Sequence, residues 1–368
     1  MRVLLLHTEP RYFGGAEKML GYFLDGYGEA ASELALGAAP GSACADLAAG
    51  VERVLLKDDR RFSILRLLRN TAVIQKINRR QPFQVLHGWA ARDWELTALA
   101  SYFCRCPAIG TLHDHPDASF ISAGRRQIMR FSARVLRKIV CVSEAVRAAA
   151  ADCGYPEQKL MVIQNGLPAR MATATERKPG IRRLGFLGVF LERKGFRGFF
   201  ETIDELSKLN PDGWEVAIGG VAQDAESERM VQQVRAEYQT RSWWARVTWC
   251  GWVKKPVDFL KTIDLLVFPS RDFDPFPTVL LEAGLAGVPV VGARLGGVPE
   301  IIDDGRTGWL FAPGDWLEAA RQIGSVMEND GQLALAGAAA AERINSQFPV
   351  LKMVARYREL YSTFASHG

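Results

Sequence analysis

Residues 264–300 read DLLVFPSRDFDPFPTVLLEAGLAGVPVVGARLGGVPE. The run Leu265-Leu266-Val267-Phe268 is short and apolar and is stopped by Pro269-Ser270, the pattern of a buried parallel strand. An acidic, proline-containing loop follows, from Arg271 to Pro277. A helix is expected after Pro277-Thr278, carrying Glu282 and ending at Gly287. Val288-Pro289-Val290-Val291 is the next strand, and Gly292 to Gly297 the next loop. Strand, loop, helix and strand in that order belong to an open α/β sheet, whose ligands sit at the carboxyl ends of the strands. Asp274 in the loop and Glu282 in the helix stand eight positions apart. Thr278, Val279 and Leu280 lie between them in the first helical turn, where unpaired N–H groups favour an anion. Amides for phosphate and carboxylates for sugar or ribose hydroxyls suit a sugar diphosphate. On spacing alone, a solvated loop acid and a helix-surface acid is the plainer reading.

The same alternation runs outward along the chain. Residues 3–6, VLLL, form a buried strand, and further strands are expected at 34–36, 54–56, 85–87, 108–112 and 139–142. Helical stretches lie between most of them, so the fold class is α/β with parallel, doubly wound sheets. The loop from His7 to Gly15 contains Gly14-Gly15-Ala16-Glu17, and an amphipathic helix begins near Ala16. A glycine pair lets the backbone approach a phosphate closely, and equally makes a plain tight turn. It is not GxGxxG, which argues against an NAD enzyme. A second series of strands is expected at 184–188, 214–218 and 247–249, then an Ala-rich helix over 316–345 and a helical tail over 350–365 with Tyr357 and Tyr361.

The 368 residues provide for two or three domains, with 48% hydrophobic and 24% charged residues, ordinary proportions for a soluble protein. No stretch reaches membrane-spanning length, and the apolar run after Met1 is too short for a signal peptide. Six cysteines without CxxC spacing argue against a disulfide framework or zinc site and fit a reducing cytoplasm. Of the net charge of +5, the basic excess belongs to the first half: residues 1–175 carry 23 Lys and Arg against 16 Asp and Glu, the remainder 23 against 25.

Two segments concentrate it. Over 63–80, Arg66, Arg69, Lys76 and Arg80 fall on one helical face, with Ile64, Leu65, Leu67, Leu68 and Ile74 around the other. Over 125–138, Arg126, Arg130, Arg134, Arg137 and Lys138 repeat about once a turn, opposed by Ile128, Met129, Phe131, Val135 and Leu136, with no acid in the helix. A solvated face is the plain reading. The missing acid favours an anionic surface, a membrane rather than nucleic acid, since no aromatic platform accompanies the charge. His87-Gly88-Trp89 and His113-Asp114-His115 both follow strands and so fall at the expected ligand-facing edge. A third ligand to go with His113 and His115 is not evident, so no metal site is expected. Ser143 reads as a helix N-cap.

The central stretch resembles the retaining GT-B glycosyltransferases of the group 1 type, the Glu-x7-Glu family related to lipid-linked mannosyltransferases and to sucrose and glycogen synthases. Their motif has the form PS…E-G-F-G…E-A…A-x-G-x-P-V-V. Phe276, Glu282, Ala283, Ala286, Gly287, Pro289, Val290 and Val291 match it. Asp274 replaces the first Glu, and Pro275 and Pro277 replace the two Gly. Gly296-Gly297-Val298-Pro299-Glu300 and Asp304-Gly305 continue the likeness, as does Val162-Ile163-Gln164-Asn165-Gly166 at the end of a first domain. Near Leu184 to Gly195 the family has G-R-L…K-G; here Lys194-Gly195 remain, Val189 stands at the Arg position, and Arg193 is a possible substitute.

The resemblance implies two facing Rossmann-like domains, 1–170 for the acceptor and 171–350 for the nucleotide sugar, with residues 351–368 forming a helix that returns to the first. Residues 167–180 read as the linker. It implies donor contacts from Gly15, Arg193, Lys194, Phe276, Pro277, Thr278, Val279, Leu280 and Glu282, with Trp252 or Val253 near the base and Trp249 in the core. Asp274 would meet the sugar, Glu282 the ribose, and His113 the sugar being transferred. Arg66, Arg69, Arg126, Arg130 and Arg134 would face an anionic, lipid-linked acceptor or a membrane. The implied activity is retaining, metal-independent hexosyl transfer without a cofactor, in polysaccharide or lipopolysaccharide assembly at the inner face of the cell membrane. Asp272-Phe273-Asp274 spells the DxD of metal-dependent enzymes of another fold; inside this motif Asp274 reads as a sugar contact. A degenerate sugar-nucleotide-binding module and a GT-B nucleotide-sugar epimerase are the alternatives.

Overall fold

A computed structural model describes the chain except for residues 9–13, 43, 45–46, 48–49, 58–62, 120, 170–181 and 366–368. Most of the expected linker thus lies outside the described residues. The chain forms two units: Met1–Pro168 together with Pro349–Gly368, and Ala169–Phe348.

The first unit is built on a seven-stranded parallel sheet of β1 (Val3–Leu6), β2 (Leu34–Ala38), β3 (Glu52–Leu55), β4 (Val85–Gly88), β5 (Ala108–Leu112), β6 (Lys138–Cys141) and β7 (Leu160–Val162). Its spatial order is β3-β2-β1-β4-β5-β6-β7. The connecting helices are α1 (Gly15–Tyr27), α2 (Ile64–Arg80), α3 (Trp94–Cys104), α4 (Ala123–Val135) and α5 (Glu144–Asp152). The second unit holds β8 (Arg182–Leu187), β9 (Trp214–Gly219), β10 (Val247–Gly251), β11 (Leu265–Phe268), β12 (Val290–Ala293) and β13 (Gly308–Phe311), ordered β10-β9-β8-β11-β12-β13. Its helices are α6 (Phe196–Leu209), α7 (Ala225–Tyr238), α8 (Pro256–Leu260), α9 (Thr278–Leu285), α10 (Val298–Ile301), α11 (Trp316–Met327) and α12 (Asp330–Gln347). The last helix, α13 (Val350–Ala365), belongs to the first unit.

Both sheets follow the Rossmann order, which reverses beside the first strand of each unit: between β1 and β4, and between β8 and β11. The strands are apolar because helices cover them; β1, β4, β5 and β11 are buried throughout. In the second unit α6 buries Phe196, Phe199, Phe200, Ile203 and Leu206 at helical spacing, in one core with Trp214, Tyr238 and Trp243. Trp249 packs against that core, stacking on Phe200 at 5.9 Å. In the first unit α13 buries Tyr357 and Tyr361. Tyr361 and Thr111 hydroxyls bind the two nitrogens of His87 at 2.7 and 2.8 Å, and Tyr357 bonds Thr111 at 3.0 Å. His87 is therefore a fully buried core residue and not part of a ligand-facing edge, because α13 covers its strand end.

The two basic helices depart from their expected faces. On α2 only Ile74 of the apolar set is fully buried; Leu65 is 67% exposed, and Ile64 and Leu68 are exposed with it. The expected stretch 125–138 ends as a helix at Val135, and Lys138 opens β6. Phe131 (69% exposed) and Val135 share solvent with Arg130 and Arg134. Acid also reaches α4 from outside it: Asp117 lies 3.5 Å from both Arg126 and Arg130, and Glu95 lies 2.5 Å from Arg125. Arg66 and Arg69 lie on α2, Arg66 half-buried and Arg69 exposed. No helix among the described residues is long and apolar enough to cross a membrane.

Candidate active site

The reversal point of the second sheet brings two loops together. After β8 the chain makes a short helical turn, Glu192–Lys194, ending at Gly195 with φ +75°. A Cβ on Gly195 would lie 1.7 Å from the Pro269 carbonyl oxygen, so only glycine lets this turn meet the end of β11. Three donors then converge on the Arg193 carbonyl: Ser270 Oγ at 3.1 Å, Arg271 N–H at 3.0 Å and Asp272 N–H at 3.2 Å. The sequence signals Ser270 only as a strand stop, yet its hydroxyl is buried in this junction.

Across the junction Lys194 Nζ reaches Asp274 Oδ2 at 2.5 Å. Asp274 is buried and Lys194 partly open to solvent. The Asp274 carbonyl accepts the Gly297 N–H at 2.8 Å, and a Cβ on Gly296 (φ +52°) would fall 2.1 Å from that same oxygen. The glycine pair after β12 therefore sets the path of the acidic loop.

Pro277 opens α9 without a side-chain cap. Leu280 N–H already donates to the Pro277 carbonyl at 3.1 Å, so its expected part in an anion cradle is taken up inside the turn. Among the described residues, that leaves the Thr278 and Val279 amides as the first-turn donors. Phe276 is buried, its ring 5.6 Å from that of Phe348. Glu282 follows on the same helix and is buried. Trp252 is 66% exposed beyond β10, while Val253 approaches so closely that a Cβ on Gly219 would lie 2.8 Å from its Cγ2. The arrangement sets a cation, a carboxylate and two amides at one sheet reversal, the groups that a phosphate beside a polyhydroxylated ring requires.

The first unit has its own site at its own reversal point. A cavity of about 760 Å³ is lined by His7, Glu17, Arg92, His113, Asp114 and Arg125 on its polar side, and by Leu112, Ile121, Ile128 and Met129 on its apolar side. His7 Nε2 meets Glu17 Oε1 at 2.9 Å, and Nδ1 stands 3.6 Å from Asp93 Oδ2, an ion-pair rather than a hydrogen-bond separation. Burial opposes a charge on His7, but Asp93, Cys44 and Glu17 outweigh it and hold the imidazole well above its ordinary value. Glu17 is kept below the usual range, since His7 overcomes its burial. His113 is pushed down to about 4 by burial and by the charge of His7, and His87 to about 3 by burial and by His113. Gly15 opens α1 and is exposed; the loop before it lies outside the described residues. His7, Glu17, Asp93 and Arg125 were not singled out by the sequence, because their meeting depends on three separate strand ends. Among the described residues no group of three His, Cys, Asp or Glu side chains could hold a metal ion.

Comparison with known proteins places both units. The model for glycosyltransferase family 4 matches residues 13–170, and that for glycosyl transferases group 1 matches residues 181–329. The chain is 34% identical over 116 residues to N-acetyl-alpha-D-glucosaminyl L-malate synthase of Bacillus anthracis, covering 32% of this chain and 30% of that protein. It is 25% identical over 274 residues to glycogen synthase of Mycobacterium tuberculosis, covering 70% and 64%. The matches thus span less than two thirds of either relative's length. In structure it resembles Anabaena HepE, solved in complex with UDP-glucose, at TM-score 0.83 and 21% identity, over 99% of this chain and 100% of that one. Two parallel Rossmann-like sheets with these loops define the GT-B class. Within it, the chain belongs to the group 1 glycosyltransferases.

Proposed function

We propose that the protein transfers a hexose from a nucleotide diphosphate sugar to an acceptor hydroxyl, with retention of anomeric configuration. The observation that carries this reading is the Lys194–Asp274 pair beside the Thr278 and Val279 amides at the β8/β11 reversal. Lys194, aided by Arg193 and the two amides, neutralises the diphosphate as the glycosidic bond breaks, the stage at which charge grows on the leaving group. Asp274 takes hydroxyls of the sugar and Glu282 those of the ribose. Trp252 or Val253 lies beside the base, and His113 and Gly15 are read as further substrate contacts. The acceptor hydroxyl attacks from the face the diphosphate leaves, and the departing phosphate takes its proton. Lys194 fills the charge-neutralising role that a metal serves elsewhere, so the reaction is read as metal- and cofactor-independent. The UDP-glucose bound by HepE supports a donor of this class.

The acceptor is read as a lipid-linked saccharide in polysaccharide or lipopolysaccharide assembly, met at the inner face of the cell membrane. On α2 exposed Leu65 and Leu68 lie near Arg69, and on α4 exposed Phe131 and Val135 lie near Arg130 and Arg134; apolar and basic residues exposed together on a helix suit an anionic bilayer. A panel of nucleotide sugars with lipid-linked acceptors, analysed by proton NMR of the anomeric product with and without chelator, tests the reading. Transfer that survives chelation and falls sharply in Glu282→Ala and Lys194→Ala supports it. Val189 at the family's Arg position favours a second reading, a binding module without turnover; binding with no transfer or hydrolysis would establish that one. Conversion of donor alone into its epimer would mark an epimerase.

A further inference from the structure

We propose that His7 is a positioning residue, a doubly protonated clamp that ties the start of α1 to the ends of β1 and β4 and keeps the neighbouring His113 neutral. The inference rests on the transferase reading only for its effect on turnover.

His7 follows β1 directly and is buried. One carboxylate, Glu17, joins it to the helix start: Oε1 meets His7 Nε2 at 2.9 Å, and Oε2 accepts the Gly14 N–H at 2.8 Å. The other, Asp93, joins it to the turn after β4. Asp93 accepts from the Thr8 amide at 3.3 Å and from its hydroxyl at 2.5 Å, and turns its second oxygen to His7 Nδ1. Nε2 thus hydrogen-bonds one carboxylate, and Nδ1, without a hydrogen-bond partner among the described residues, has the other at ion-pair distance, 3.6 Å. Only the imidazolium presents a proton to both; a neutral ring would set a lone pair against an acid. The charged or titratable groups around the ring are Glu17 on α1, Asp93 and Arg92 after β4, Cys44 after β2, and His113 and Asp114 after β5.

The consequence for His113 is electrostatic. Its Nε2 is enclosed and has no hydrogen-bond partner among the described residues. A second cation beside His7 is opposed by burial and by like charge, so His113 stays neutral. The Trp89 ring, 5.5 Å from that of His113, fixes its attitude.

Histidine side-chain NMR of the full-length protein, followed against pH, reads the clamp without any substrate. His7 is expected to lose its proton after His87 and His113, and His113 to stay neutral down to about pH 4. In His7→Gln the amide keeps a donor for Glu17 but removes the charge, so His113 should titrate higher. In Glu17→Gln, the second variant should His7→Gln not fold, His7 should titrate lower. A wild-type His7 that titrates like a free histidine overturns the proposal, as does a His113 indifferent to His7→Gln. In transfer assays His7→Gln should lower kcat about tenfold, the worth of one charge-assisted hydrogen bond, with donor KM unchanged. A raised donor KM with unaltered kcat overturns the positioning role. If no sugar is transferred at all, the titrations still decide on the clamp.

Discussion

Lys194 and Asp274 come from loops after two different strands, β8 and β11, and meet as an ion pair 2.5 Å apart. In the reading proposed above they serve different parts of one donor, the cation its diphosphate and the acid its sugar. Without donor each is the other's counter-ion. Removing one partner leaves the survivor, Asp274 above all, buried without compensation. Lys194→Ala and Asp274→Asn are each expected to lower turnover about a hundredfold. The double variant should lose less than the product of the two, because the residues act as a unit. A double-mutant cycle in kcat/KM measures this; strict additivity would separate the two roles.

Glu282→Gln is expected to weaken binding of the nucleotide diphosphate itself about tenfold, since a ribose contact is lost with or without a sugar attached. Asp274→Asn should instead narrow the difference between one sugar nucleotide and another. Calorimetry with nucleotide and with sugar nucleotide distinguishes them.

Gly195→Ala and Gly296→Ala each place a Cβ within 2.1 Å of a carbonyl oxygen in a left-handed backbone conformation. Each should destabilise the second unit by about 2 kcal/mol or more, from strain and steric clash together. Urea unfolding reads the loss. Gly305→Ala, also at positive φ but with open space around it, should lose less.

The pH dependence of the first unit follows from His7 and Glu17. His7 is raised in the fold, so its contribution is complete below the unfolded histidine value and fades as pH rises through the folded one. Glu17 is lowered, so its contribution is present above the unfolded carboxylate value and fades as pH falls through the folded one. Thermal unfolding across pH should show the alkaline decline reduced in His7→Gln.

Vesicles containing anionic lipid should retain the protein at low salt and release it at high salt. Leu65→Glu with Phe131→Glu should abolish retention without unfolding the protein, as both side chains are exposed. Retention unchanged by the pair, in a sedimentation assay, would remove the membrane from the reading.

The alternation of short apolar runs with helical stretches made both sheets legible, and β1, β5 and β11 fall on the residues expected from their apolarity alone. Asp274 and Glu282 stand out in the sequence through the wording of a motif, and the structure buries both. The Leu280 amide was misjudged because a tight first turn is a matter of backbone angles that Pro277 does not advertise. The outward faces of α2 and α4 were misjudged because periodicity reports which residues share a face and leaves open which face the sheet covers. His7 and Asp93 lie 86 positions apart; only the pairing of β1 with β4 brings them together, and no local pattern encodes it.

The placement of α13 has a consequence for biosynthesis. Tyr357 and Tyr361, which close the core over His87, leave the ribosome only after the whole of Ala169–Phe348 has been made. At about 5–20 residues per second, that interval is on the order of ten to forty seconds. During it the earlier-made sheet waits with an uncovered flank while the later-made one, continuous in sequence, is free to finish first.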